Sequence, residues 1–223
     1  MLSAGCASST AQQALVAALQ GNLAKSGPSV DTAPLNPAYR YLRVDVDGAG
    51  SALLVLGYVE PHPAGAVEVW YSSLGEVLKT QQGRIVGTVG LPTDWSSVSY
   101  HSLPVAWSDA GAQASAYERV RSVLPSYRFG VKERVLLAPV PQADFGQMSS
   151  AMFAGGLRQS DVTKYRWYQE QVAGAVAQRL PISWYALGQR DGRDTVVFSR
   201  QCLAPDLCMN LQLLPVRDKA LNP

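Results

Sequence analysis

The feature that most constrains this chain is a series of short apolar stretches, separated by glycine and proline, that starts near Tyr39. Leu42, Val44 and Val46 alternate with charged residues, and a turn follows at Asp47-Gly48. Ten or more stretches of this kind follow one another, and none alternates with a long helical pattern. Period-two alternation with regular turn signals is typical of antiparallel sheets. The pattern therefore predicts an all-β fold, barrel-like or sandwich, and excludes a doubly wound α/β fold.

The N-terminal part has a different pattern. Ser9–Lys25 has capping-box spacing at its start, apolar residues on one face and Pro28 soon after its end, so it is predicted to be a helix. The predicted organisation is a signal remnant with a lipidation site at 1–6, a helix and linker at 7–37, and an antiparallel β domain at 38–218.

Three internal segments carry more specific predictions. The glycines of "GRIVGTVG" (83–90) are interleaved with β-branched residues, which indicates a strand with bulges or close packing. Residues 142–156 are rich in small residues and are predicted to be an exposed loop. Asp161–Arg179 fits either a strand or a helix, because Tyr165, Tyr168, Val172 and Val176 have a period near 3.6.

Charge and hydropathy argue against nucleic acid as a partner and against a transmembrane helix. The net charge is +2, charged residues make up 16% of the chain, and the basic residues form no block, so nucleic acid is not an expected partner. No apolar run reaches the roughly 18 residues of a transmembrane helix. Contact with a membrane would therefore require an anchor.

Motifs of the common enzyme classes are missing. The sequence contains no G-x-S-x-G, no phosphate-binding loop and no zinc-type spacing, and its two histidines, His62 and His101, are interpreted as surface residues. No spacing singles out a glycosidase carboxylate pair among the seventeen acidic residues. No catalytic residue, metal site or cofactor is predicted, and the chain is not expected to be an enzyme.

The three cysteines are informative. Cys202 and Cys208 flank five residues between two strand-like runs, so they can form a disulfide across a hairpin, or remain two reduced core thiols. Cys6 follows the small residues Ser3, Ala4 and Gly5, as a lipid-modified cysteine does at the end of a lipoprotein signal. Lipid on Cys6 would leave an even pair, and both observations then indicate an exported protein.

Four aromatic residues fall near turn signals: Trp95, Tyr100, Trp107 and Tyr127. Trp95 and Trp107 flank a predicted strand at 98–106. Aromatic faces stack on sugar rings, so these side chains are candidate contacts for a glycan or a protein partner. The alternative is ordinary packing in the core and at its rim.

One stretch, residues 36–92, resembles the YjbF or group 4 capsule polysaccharide lipoprotein family. The resemblance rests on Tyr39, "LVL" at 54–56, Trp70 and the motif "GRIVGTVGLP" at 83–92, with weaker support from "YRFG" at 127–130. It implies a secreted, lipid-anchored β protein needed to make or export a surface polysaccharide, with Cys6 as the lipid site. The resemblance supplies no catalytic residue, and the Cys202–Cys208 pair is not part of the family pattern.

The resemblance also implies a location and partners. Ala7 follows Cys6 where inner-membrane lipoproteins often carry Asp, which favours the periplasmic side of the outer membrane. The expected partners are other polysaccharide secretion proteins or the polysaccharide itself, with the membrane reached through the lipid anchor. Two alternatives stay open. A glycan-modifying enzyme would show two carboxylates facing across a groove, and a carrier of a lipid-like ligand would show a deep apolar pocket.

Overall fold

A computed structural model describes residues 35–147, 152–153, 157–174 and 180–215. Twelve strands dominate this part of the chain, which confirms the all-β class. In chain order they are β1 Tyr41–Val46, β2 Gly50–Glu60, β3 Val67–Tyr71, β4 Val77–Gln81, β5 Arg84–Val89, β6 Asp94–Ser102, β7 Ser115–Leu124, β8 Arg128–Pro139, β9 Arg166–Val172, β10 Ser183–Arg190, β11 Arg193–Ala204 and β12 Leu207–Leu213. The predicted helix at Ser9–Lys25 and the predicted lipid site Cys6 lie outside the described residues.

All twelve strands form one antiparallel sheet in the order β5-β4-β3-β2-β1-β12-β11-β10-β9-β8-β7-β6. Neighbours in the sheet are also neighbours in the chain, except β1 and β12, which pair with Leu42 opposite Leu213. The two remaining edges are β5 and β6. The Trp95 backbone N–H of β6 donates to Thr88 Oγ1 of β5 at 3.0 Å, so these edges approach one another. The sheet therefore curls into a nearly closed barrel.

The glycine-rich segment, predicted to be a strand with bulges or close packing, forms strand β5, which is buried on both faces. On one side Ile85 packs into the main core with Leu42 and Trp70. On the other side the Arg84 side chain reaches Glu170 of β9. Gly83, just before the strand, has φ +77°, and a Cβ there would lie 2.5 Å from the Cβ of Val196. The tip of the β4–β5 hairpin thus lies directly on β11, where only glycine fits.

The structure also shows the conformation of most of two segments that carry specific sequence predictions, 161–179 and 142–156. Residues 166–172 form strand β9, preceded by a 3₁₀ helix at Gln159–Lys164, so the strand alternative is correct over this stretch. The prediction of an exposed loop at 142–156 is wrong in part, because Gln142–Gln147 is a 3₁₀ helix and Met152 is fully buried against Trp167 and Phe198. Apolar side chains in this segment therefore cap a second core.

The barrel has two distinct ends. Because neighbouring strands are antiparallel, every odd-numbered strand runs in the direction of β1. The starts of β1, β3 and β11 share one end, called here the cavity end. The β7–β8 turn lies at the opposite end, called the hairpin end. No helix in the described ranges has the length and apolarity to span a bilayer.

Candidate functional site

The cavity end holds a half-open cavity of about 730 Å³, and six parts of the chain line it. Its walls come from inward-facing residues of β1, β3, β4, β11 and β12, and its mouth from loop residues. The lining includes Arg40, Leu42, Glu68, Trp70, Thr80, Gln82, Trp107, Gln189, Arg193, Asp194, Val196, Ser199, Leu211 and Leu213. The volume is within the range of about 300–1,000 Å³ that is usual for ligand sites.

One wall of the cavity is organised by Arg40, Glu68 and Trp70, called here the open cluster. Arg40 Nη2 donates to Glu68 Oε1 at 2.6 Å, and Arg40 Cζ lies 5.5 Å from the centroid of the Trp70 ring. The Trp70 indole N–H donates to Thr80 Oγ1 at 2.9 Å, and the Thr80 hydroxyl donates to Glu68 Oε2 at 3.3 Å. The Arg40 and Glu68 side chains remain 35% and 27% exposed. A ligand in the cavity can therefore reach both charged groups.

A second ion pair at the mouth joins Arg166, at the start of β9, to the lining residue Asp194, at the start of β11. Arg166 Nη2 lies 2.6 Å from Asp194 Oδ2, and the Gln189 amide also donates to the Asp194 carboxylate. The hydrogen bond to Asp194 raises the pKa of Arg166 above its usual range. The cavity thus presents paired charges, amides and hydroxyls around apolar and aromatic walls. Within the described ranges, no group of three His, Cys, Asp or Glu side chains could hold a metal ion.

A second cluster of the same residue types lies inside the barrel. Arg84, Glu170 and Trp107 form this buried cluster. Arg84 Nε donates to Glu170 Oε1 at 2.8 Å, and Arg84 Cζ lies 4.0 Å from the centroid of the Trp107 ring. The Tyr117 and Tyr185 hydroxyls donate to Glu170 Oε2 at 3.0 and 2.9 Å. The Arg84 and Glu170 side chains are only 4% and 3% exposed.

Electrostatics explain how the buried cluster tolerates a charge. Burial by itself lowers the pKa of Arg84, but attraction to Glu170, the neighbouring Tyr117 and Tyr185 and the hydrogen bond to Glu170 together outweigh burial, so the pKa lies above its usual range. Burial, reinforced by Glu170, raises the pKa of Tyr117 and of Tyr185 well above the usual value, so both stay protonated donors. Arg84 Nη1 and Nη2 have no hydrogen-bond partner within the described part of the chain. The guanidinium instead lies against the faces of Trp107, Tyr117 and Tyr185.

The four predicted aromatic contacts do not form one surface. Trp95 is 3% exposed, its indole N–H donates to the Leu203 carbonyl, and the guanidinium carbons of Arg119 and Arg121 lie 4.9 and 5.1 Å from its ring centroid. The structure therefore corrects its placement near an exposed turn. The reason is that β6 begins at Asp94, earlier than the predicted strand, which places Trp95 within the sheet and in the main core.

The other three rings lie in three different environments. Trp107 is 5% exposed and donates to the Gln82 carbonyl, so it is a wall of the cavity and not a surface platform. Tyr100 is half-buried at 5.8 Å from Tyr117, and burial raises its pKa. Tyr127 keeps an exposed ring, at 74%. Of the four, only Tyr127 presents its ring outside the fold.

Of the two states considered for the cysteine pair, a disulfide and two reduced thiols, the structure shows the disulfide. Cys202 and Cys208 lie directly opposite one another on β11 and β12 and are bonded, with a Cα–Cα distance of 4.0 Å. The disulfide therefore fixes the last hairpin of the barrel.

Sequence reasoning missed the cavity residues Arg40, Glu68, Trp70 and Asp194. The signal for two of them was present in "VEVWY", where Glu68 and Trp70 share one face of β3. In the structure this face lies toward the barrel interior, and the Glu68 carboxylate is tolerated there because the cavity is open at this end.

The fold and the cavity together define a class: a curled antiparallel barrel with a half-open cavity of mixed polar and apolar lining and no metal cluster in its described part. Sequence comparison is more specific. The profile of the family described as group 4 capsule polysaccharide lipoprotein gfcB, YjbF, matches residues 17–149. The chain belongs to this family. The matched region contains the whole open cluster.

A solved structure supports the fold. The crystal structure of the hypothetical lipoprotein YmcC from Escherichia coli (K12) superposes with a TM-score of 0.56 at 17% sequence identity, covering 82% of this chain and 90% of that one. At this identity the likeness shows a shared fold. No protein of curated function matches the sequence.

Proposed function

We propose that this protein is a lipid-anchored accessory component of capsule or exopolysaccharide assembly or export, and that it acts by binding a glycan segment in the cavity. Its family is a capsule polysaccharide lipoprotein family. The observation that carries the proposal is the open cluster, in which the accessible Arg40 guanidinium and Glu68 carboxylate, held beside the buried Trp70 ring, line a cavity of about 730 Å³ with apolar walls. Sugars offer both hydroxyls and apolar ring faces, and such a lining matches both.

The two alternative functions receive less support. Glu68 and Asp194 both line the cavity, but each is ion-paired to an arginine at 2.6 Å and neither is left to face the other. An apolar cavity at the hairpin end, between residues such as Leu54, Leu78 and Met209, measures about 120 Å³. This is below the roughly 300 Å³ at which ligand pockets begin, so it is too small for a lipid-like cargo.

A binding assay tests the glycan site. The probe is the surface polysaccharide purified from the organism that carries this gene, with the full chain bearing Cys6→Ser. Glu68→Gln removes a charged hydrogen-bond partner, which is worth about 1.5–3 kcal/mol, so affinity should fall about ten- to a hundredfold. Glu60→Gln is the matched control, because Glu60 forms a comparable ion pair with Lys79 and does not line the cavity. Unchanged affinity of the Glu68 variant, or equal loss in both, would reject the cavity as the site.

The proposed anchor has its own test. We place the lipid on Cys6 and the protein on the periplasmic side of the outer membrane. A triacylated cysteine buries three chains at about 0.8 kcal/mol per CH₂, so the lipidated parent should resist extraction from the membrane fraction by a high-salt wash, whereas Cys6→Ser in the full-length gene should be released by it. If the variant resists the wash as the parent does, Cys6 is not the anchor.

A further inference from the structure

The tip of the β7–β8 hairpin exposes two aromatic rings that no element of the described residues covers. Tyr127 is 74% exposed and Phe129 is 65% exposed, the highest values among the large apolar side chains of the described residues. Their ring centroids are 6.4 Å apart, and the ring planes meet at 60°. Exposed apolar area of this kind marks a contact with another molecule more often than it serves the fold.

The backbone holds Tyr127 in an unfavourable conformation. Its φ is 51°, in the left-handed region that favours glycine or asparagine. A tyrosine in this region gains no core packing in return, because its ring is exposed. Retention of a bulky ring at such a position is typical of a functional site.

The exposed charge around the tip is positive. Arg128 lies between the two rings, and Lys132 lies on the exposed face of β8 a few residues further on. Two carboxylates share a pocket with Lys132. Glu133 is buried and already pairs at 2.8 Å with both Arg119 and Arg121, and Glu118 lies further from the tip, opposite Arg134. The tip therefore complements an anionic surface.

The geometry separates two anionic candidates, a polysaccharide and a phospholipid membrane. A sugar-binding platform needs a flat aromatic face beside a groove, whereas two rings at 60° on a convex turn offer neither. Tyrosine and phenylalanine beside arginine or lysine are suited to the headgroup region of a bilayer, where the rings enter the interface and the cations stay at the phosphates.

The tip can also reach a membrane. It lies at the hairpin end, opposite the start of β1. With the predicted helix at Ser9–Lys25, about 25 Å long, and the remaining residues between Cys6 and Leu35 extended, the N-terminal segment reaches about 60 Å. A twelve-residue strand such as β8 spans about 40 Å. An N-terminal anchor therefore leaves the hairpin end free to touch the same bilayer.

We propose that the Tyr127–Phe129 tip docks on an anionic phospholipid membrane, as a contact separate from the glycan cavity and independent of lipid on Cys6. The docked tip would hold the barrel along the bilayer instead of leaving it free on a tether.

The test uses the full chain with Cys6→Ser and sedimentation with mixed phosphatidylethanolamine–phosphatidylglycerol vesicles. The protein should bind these vesicles, less so at high salt, and bind phosphatidylcholine vesicles weakly. The double change Tyr127→Ser, Phe129→Ser should lower vesicle binding on the order of tenfold or more, because it removes both interfacial rings. The matched control is Tyr58→Ser, Tyr71→Ser, an exposed pair also 6.4 Å apart, in which the Tyr58 hydroxyl donates to Glu60.

The control pair should leave vesicle binding unchanged, and thermal melting should show that both double variants are folded. Three outcomes would overturn the proposal: no vesicle binding by the parent chain, equal loss in both double variants, or normal vesicle binding by a tip variant that has lost polysaccharide binding. The last outcome would make the tip a glycan contact and leave the cavity assay to be judged on its own result.

Discussion

The open cluster and the buried cluster are built from the same three residue types, an arginine, a glutamate and a tryptophan, in one barrel. The ion-pair distances are 2.6 Å for Arg40–Glu68 and 2.8 Å for Arg84–Glu170. Their surroundings differ, since the first pair is about one-third exposed and the second is almost completely buried. An exposed pair contributes about 0–1 kcal/mol to stability, whereas breaking a buried pair costs about 3–5 kcal/mol. Burial therefore gives the buried cluster a role in holding the fold and leaves the charged pair of the open cluster accessible, as the proposed binding role requires.

The number of additional partners points the same way. Glu170 accepts from Arg84 and from two tyrosine hydroxyls, so its oxygens are fully occupied inside the barrel. Glu68 accepts from Arg40 and from Thr80, at the edge of a solvent-filled space. Because the Glu68 carboxylate is already partly exposed, exchanging one of its partners for a ligand hydroxyl requires little additional desolvation. A ligand hydroxyl can therefore enter the open cluster.

The largest expected difference between the clusters is in stability. Glu170→Gln leaves the Arg84 charge buried without a counter-ion and should lower the free energy of unfolding by about 3–5 kcal/mol. Glu68→Gln should lower it by less than about 1 kcal/mol. Urea unfolding of both variants measures the difference. If Glu170→Gln yields too little folded protein, Arg84→Met with Glu170→Leu and Tyr117→Phe should recover folding. This combination leaves no buried charge and no unsatisfied Tyr117 hydroxyl, and the Tyr185 hydroxyl keeps Gln201 Oε1 as an acceptor at 3.2 Å. Equal losses of unfolding free energy in Glu170→Gln and Glu68→Gln would contradict the comparison between the two clusters.

A smaller loss of stability is expected for a substitution at Gly83, at the tip of the β4–β5 hairpin, which positions Arg84. Gly83→Ala combines a left-handed φ with a contact of 2.5 Å to Val196, and we expect a loss of about 2–4 kcal/mol. Gly192→Ala is the control, because its φ of +72° is similar but nothing lies within 4 Å of the new Cβ. That change should cost about 1–2 kcal/mol. Adding Val196→Ala should restore the steric part of the Gly83 loss, and failure to do so would remove the close-packing explanation.

The smallest change in stability at neutral pH is expected for the two tyrosines, Tyr117 and Tyr185, that donate to Glu170 of the buried cluster. The pKa values of Tyr117 and Tyr185 are raised in the fold, so their contribution to stability is complete below about pH 10 and is lost as the pH rises above it. Tyr117→Phe should cost about 1 kcal/mol at pH 8. Above pH 10 its stability should fall by about 1.4 kcal/mol per pH unit less than that of the parent. Parallel stability curves from pH 8 to pH 11 would contradict this linkage.

Local patterns in the sequence were sufficient for the strands and the last hairpin. Strand β5 and the Cys202–Cys208 pair could be predicted because alternation, glycine spacing and a short loop are properties of neighbouring residues. The placement of Trp95 could not, because it depends on where β6 begins. The Asp94 carboxylate accepts from the backbone of Gly90 and Leu91, which makes the preceding turn tight and starts the strand at once.

The two clusters could not be assembled from the sequence. Arg84 and Glu170 are 86 residues apart, and seventeen acidic residues were equal candidates for the pairing. Glu170 also fell in a segment that fitted either a strand or a helix. Only the curling of the sheet brings β5 and β9 face to face, and only the opening at one end leaves Glu68 solvated. Both facts are properties of the closed barrel and not of any single element.

The pairing of β1 with β12 has a consequence for how the chain matures. A protein exported from its N-terminus presents β1 first and β12 last, so the partner of β1 on one side does not exist until export is nearly complete. The other pairings join chain neighbours and can form as the chain emerges. Until β12 arrives, β1 offers an unpaired edge that another strand could occupy. The seam between the first and last strands is therefore the point at which this protein is most open to misassembly and at which a folding helper would have most effect.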